Sequence, residues 1–229
     1  MAIEEARLSQ LELLLGSGLL EANYDALTPT SGEQCKQLVL EYLRLSTTIS
    51  HLDVDFIKNL TKVTRHILES EPASLDGLLE KLFSYNMEGV EKVRGGIEGR
   101  TSANLTSLES HLLGDAGNAA RALFDTSNDI SWAERWYDAN KKSADMTVEI
   151  EPRHSAHAYS FAGNAAKALN KATKNPSWAQ TAIECYYKFL EYYKKNPDPR
   201  MNETIRFVLK DINFLGPFAA RLNYSPINQ

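Results

Sequence analysis

Apolar residues recur every three or four positions along most of this chain, and strand-like alternation is nearly absent. That rhythm is the signature of helices that bury one side only. Residues 2–15 predict an opening helix, ended by Gly16-Ser17-Gly18. Leu38, Tyr42, Leu45 and Ile49 make a second stripe, and Phe56, Leu60, Val63 and Ile67 a third before Pro72. Leu75, Leu78, Leu79 and Leu82 make a shorter fourth. One-sided helices need neighbours, so the expected fold class is all-α, a bundle or an α-solenoid. Three glycines within Gly95-Gly96-Ile97-Glu98-Gly99 oppose helix and mark a joint at 95–101, after an N-terminal half at 1–94.

Beyond the joint the pattern repeats. Ala116-Gly117-Asn118-Ala119-Ala120-Arg121-Ala122-Leu123 returns 46 residues later as Ala162-Gly163-Asn164-Ala165-Ala166-Lys167-Ala168-Leu169. The same offset carries Ser131-Trp132-Ala133 onto Ser177-Trp178-Ala179. Self-similarity at such a period marks stacked helical units. Helix A of the first copy is expected to run to about Asp125, and helix A of the second from about Ser155 to Thr173. Ser131 with Glu134, and Ser177 with Gln180, fit the capping box that opens a helix B. In the second helix B, Trp178, Ala182, Cys185, Phe189 and Tyr192 form a wide core stripe that Pro197 stops. A glycine in mid-helix costs about 1 kcal/mol against alanine. Gly117 and Gly163 therefore predict close approach of a partner helix, helix B of the same unit. A capping helix is expected at about 201–213, with Ile205, Leu209 and Ile212 as its apolar face.

This pattern resembles the tetratricopeptide (TPR) family over about 105–198. Tyr159, Ala162, Gly163 and Ala166 are similar to its helix A signature, Ala179, Ile183 and Tyr186 to helix B, and Asn196-Pro197-Asp198 to its closing segment. The unit of 46 residues exceeds the usual length of about 34, which implies an elongated TPR-like form. The resemblance implies a right-handed superhelix of antiparallel helix pairs across 102–198, closed by a C-terminal helix and tail at 199–229. It also implies a scaffold or adaptor that holds a peptide or helix of a partner protein in a concave groove. Asn118 with Arg121, and Asn164 with Lys167, resemble the groove positions that grip a peptide carboxylate through amide and charge-assisted bonds, and Lys171 is expected to contact the partner beside them. The alternative is that both asparagines bond neighbouring backbone between stacked helices.

Charge sharpens the choice of partner. The net charge is −5, which speaks against general nucleic-acid binding. Residues 1–110 hold 10 Lys and Arg against 17 Asp and Glu, whereas 111–229 hold 15 against 13. Within 165–210 nine cations face four acids, so a partner at that end is expected to be acidic unless the lysines merely solvate helix faces. RNA binding through this basic stretch is the second reading. Cys35 and Cys185 stand far apart, as buried thiols do in a reducing compartment. With no apolar run of spanning length and no basic leader, a cytoplasmic protein without membrane insertion is expected.

Candidate chemistry is sparse. Glu149, Glu151, His154 and His157 offer metal-capable side chains within nine residues, but Pro152 interrupts them and no second His pair accompanies them. They read as a solvated loop entering helix A, and no metal or cofactor is assigned. No nucleophile elbow, phosphate-binding Gly-Lys-Ser/Thr loop or dinucleotide fingerprint occurs, so no catalytic residue is assigned and a non-enzymatic role is expected.

Overall fold

A computed structural model describes residues 79–96 and 101–219, with residues 6, 7, 9–11, 37 and 41. The chain divides into two compact units, Met1–Gly99 and Arg100–Gln229. Every regular element among the described residues is helical, and none of these helices is long and apolar enough to cross a membrane.

In the first unit, α1 (Leu79–Arg94) buries Leu79, Leu82, Tyr85, Val90 and Val93 along one side. Elsewhere in that unit the Arg7 guanidinium grips Glu41 with two bonds of 2.7 Å. The second and third predicted stripes, and Leu75 and Leu78, lie outside the described residues. Gly95 and Gly96 follow α1, and Gly96 takes φ +86°, a turn conformation that a side chain disfavours.

The second unit holds α2 (Ser102–Ser127), α3 (Ile130–Thr147), α4 (Pro152–Thr173), α5 (Pro176–Lys195), a 3-10 turn (Pro199–Met201) and α6 (Asn202–Ala219). Each helix from α2 to α6 packs mainly on its neighbours in sequence. Two-residue links, Asn128-Asp129 and Lys174-Asn175, make α2/α3 and α4/α5 antiparallel neighbours. The 46-residue offset is written into their backbone. Asn128 and Lys174 both end a helix in the left-handed region at φ +56°, each N–H returning to a carbonyl four residues back. Asp129 and Asn175 then cap α3 and α5, each side chain accepting from the backbone N–H of Ser131 or Ser177.

That last detail corrects the expected capping boxes. Asp and Asn stand at the true N-caps, so Ser131 and Ser177 fall within the first turn, and Gln180 bonds Glu184 instead. Pro152 also acts differently from expectation. Pro152 and Pro176 open α4 and α5 at the first helical position, where a missing N–H and a fixed φ are assets. Helix α4 thus starts three residues before Ser155.

The glycines behave as their pattern requires. A Cβ on Gly163 would lie 2.5 Å from the Tyr186 ring on α5, and one on Gly117 would collide with the Asn140 amide on α3. Among the described residues a core cluster joins α4, α5 and α6: Ala156 and Ala166 meet Ala182, Ile183, Tyr186, Phe189 and Tyr193, which pack with Val208, Leu215 and Ala219. Tyr186 and Phe189 are fully buried, each contributing roughly 1.5–3 kcal/mol. Trp178 and Tyr192 from the predicted stripe are only partly buried. On α6, Ile205 and Ile212 pack against the core as expected, but Leu209 is 46% exposed. The helix also runs six residues past the expected end.

Candidate functional site

The predicted contact residues lie on α2 and α4, and the structure treats the two helices unequally. On α2, Asn118 is half-buried and Arg121 exposed. Arg121 Nε is 3.5 Å from Asp125, one turn on, and its guanidinium lies 5.6 Å from the centre of the buried Trp136 ring. On α4, Asn164 Oδ1 accepts a 2.8 Å hydrogen bond from the Tyr186 hydroxyl, which also lies 3.3 Å from Asp211 Oδ2. Lys167 Nζ reaches the same Asp211 oxygen at 2.6 Å. Asn164, Lys167, Tyr186 and Asp211 thus tie α4, α5 and α6 into one polar knot. Burial, followed by the Asp211 charge, drives the Tyr186 hydroxyl far above its ordinary range, so it remains a donor. Lys171 is exposed one turn beyond Lys167.

Spacing in the sequence identified Asn164 and Lys167 but neither of their partners. Tyr186 was legible only as a helix B aromatic. Asp211 carried no signal, since it lies outside the repeated unit.

The basic stretch is partly neutralised at close range. Besides Lys167, Lys195 pairs with Glu191 at 2.8 Å and Arg200 with Asp198 at 2.9 Å. Lys188 donates to the Tyr159 hydroxyl at 3.0 Å and sits 4.5 Å from that ring's centre. Tyr159 in turn donates to Asp145 at 2.6 Å, and Lys141 closes on the same carboxylate. Burial would raise the Asp145 pKa, but the hydrogen bonds from Lys141 and Tyr159 outweigh it and hold the carboxyl below its usual range. Cys185, beneath this group, is a free buried thiol pushed up to about 11 by burial, and therefore a poor nucleophile. Cys35 lies outside the described residues.

The Glu/His group is not the solvated loop that its sequence predicts. Because Pro152 begins α4 rather than breaking it, Glu151 sits at the helix mouth and His154 in its first turn, both half-buried. Glu151 makes no side-chain cap to its own helix. It turns instead to α2, accepting from Ser107 Oγ at 2.6 Å through Oε1 and lying 3.3 Å from His111 Nε2 through Oε2. The His111 and His154 rings are 4.3 Å apart, centre to centre. One ligand atom from each of His111, Glu151 and His154 lies within 4.8 Å of the other two. Glu149 is exposed in the preceding turn. His157 turns to Tyr193, with its Nε2 2.7 Å from that hydroxyl. Glu151, His154 and His157 also line a shallow depression of about 470 Å³, with Pro152, Arg153 and Tyr192. Sequence spacing could not find His111, which the fold imports from a different helix.

Set against protein-family models and curated proteins, the chain matches none of them.

Proposed function

We propose that the second unit is a non-catalytic, TPR-like scaffold that binds a peptide or helix of a partner protein. The observation that carries this reading is the reuse of one plan at a 46-residue offset. Helix end, left-handed cap, Asx N-cap and glycine-to-helix-B approach all recur. Units stacked in this way build extended surfaces rather than reaction chambers. A buried, protonated thiol and a shallow depression fit that role. Within this reading the α2 pair, Asn118 and Arg121, with Lys171 on α4, makes the polar contacts to the partner. Asn164 and Lys167 can join only if the Tyr186–Asp211 knot opens.

An affinity capture from host lysate, with nuclease added, tests the proposal. Asn118→Ala/Arg121→Glu should lose a specific protein partner while keeping wild-type helicity and melting. Asn164→Ala/Lys167→Glu should lose stability as well, since it cuts the knot, and is the less clean probe. A partner kept by both folded variants would sink the assignment of these residues. Capture abolished by nuclease would turn the reading toward RNA.

A further inference from the structure

At the junction of α2 and α4 two imidazoles and a carboxylate converge. We infer that His111, Glu151 and His154 form a binding site for a zinc-like transition-metal dication. Two imidazoles and one carboxylate are the donor set that such ions favour, with metal–ligand bonds of about 2.0–2.2 Å. In a tetrahedron of such bonds neighbouring ligand atoms stand about 3.3–3.4 Å apart. The His111 Nε2 to Glu151 Oε2 distance is 3.3 Å, already at that edge length. The widest separation, within 4.8 Å, needs a closure of about 1.5 Å to reach it. Rotation of half-buried side chains supplies such a movement.

The surroundings are those of a supported site. Ser107 holds Oε1 of Glu151 and so presents Oε2 to His111. Ser143 Oγ lies 3.1 Å from His154 Nε2 and is itself fixed by reciprocal bonds with Ser110 in the buried α2/α3 seam. Outer hydroxyls of this kind orient the ligands of a metal and tune its affinity. The second imidazole packs 4.3 Å from the first, and the helix-mouth carboxylate faces them rather than capping its own helix. The three ligands come from both copies of the repeated unit: α2 belongs to the first, and α4 with its entry to the second. Bound metal would therefore clamp one unit onto the next. The depression lined by Glu151 and His154 leaves a side from which an ion and its remaining water can enter.

The test is calorimetric titration of the chelator-stripped full chain with zinc chloride, alongside thermal melts with and without zinc. Wild type should bind one ion per chain and melt higher with zinc. His111→Ala and Glu151→Gln should each weaken binding at least about 100-fold and abolish the zinc-dependent rise in melting. Ser107→Ala should weaken it about 10-fold, the cost typical of losing an outer partner. His157→Gln, which alters a histidine of the same depression but not a ligand, should bind as wild type does. Cobalt provides a second readout, since visible absorption of a four-coordinate centre should vanish in His111→Ala. The inference is overturned if wild type shows no saturable binding. It is equally overturned if His111→Ala and Glu151→Gln, folded by circular dichroism, retain wild-type affinity.

Discussion

The two copies of the repeated unit share a plan, yet they spend their polar residues differently. His111 on α2 and His157 on α4 occupy equivalent positions, 46 residues apart. The first meets Glu151 and His154, whereas the second meets Tyr193, with Arg153 and Asp198 nearby. Gly117 and Gly163 are equivalent too. Opposite them stand Asn140 in the first copy and Tyr186 in the second, again 46 apart. Volume is redistributed by one helical turn: Trp136 and Asn140 on α3 correspond to Ala182 and Tyr186 on α5. The backbone plan is thus set by small residues and caps. Chemistry is set by what the adjoining element brings, Glu151 and His154 to the first copy and Asp211 to the second.

The glycine contacts offer the largest contrast. Gly163→Ala drives a methyl into the Tyr186 ring, which is fully buried and anchored through its hydroxyl. The helix gains about 1 kcal/mol from alanine, but overpacking of a rigid ring should leave a net loss of about 1–3 kcal/mol. Gly117→Ala meets only the amide end of Asn140, which can swing away at the cost of its 3.0 Å bond to the Trp136 carbonyl. That variant should lose about 1 kcal/mol or less. Urea unfolding of the two variants would rank them, and equal midpoints would break the contrast.

A smaller effect isolates the polar knot of the second copy. Tyr186→Phe keeps the ring that fills Gly163's space and removes only the hydroxyl shared by Asn164 and Asp211. A loss of about 1 kcal/mol is expected. In a double-mutant cycle with Asp211→Asn, the two changes should couple by at least about 0.5 kcal/mol. Strict additivity would mean that the hydroxyl and Asp211 act independently, and the knot would reduce to separate contacts.

These examples also mark how far the chain was legible before folding. Helical periodicity, the offset and the small residues of helix A announced α2–α5, because each depends on neighbours close in sequence. The glycine contacts were legible for a related reason: a costly residue in mid-helix implies a compensating neighbour. Caps were misplaced by two residues, since Ser and Asx compete for the same N–H groups and spacing alone does not choose. The Glu/His group was misread because Pro152 both breaks a preceding run and starts a helix. Its partner His111 lies 40 residues upstream of Glu151, with no local pattern linking them. Local rules find elements, whereas sites that join elements depend on the fold.

The smallest expected effect lies at His157, the counterpart of His111 in the second copy. Burial first, and then the Arg153 charge, lower the His157 pKa from its ordinary value, with Asp198 pulling more weakly the other way. The folded protein therefore resists protonating this ring, whereas the unfolded chain accepts a proton near pH 6.5. Below that pH the unfolded state binds more protons, so the histidine's contribution to stability is intact above about pH 6.5 and declines as pH falls through the lower folded value. Wild type should lose melting temperature between pH 7 and pH 5 more steeply than His157→Gln, which keeps a polar group for Tyr193 but cannot titrate. Carboxylates elsewhere titrate in both proteins alike, so the difference between the two slopes reports this ring alone. The effect should be modest, because His157 is only half-buried and solvent screens its charge. Parallel slopes would mean that Asp198 offsets burial in full, and the second copy would lose its claim to a histidine kept neutral by its surroundings.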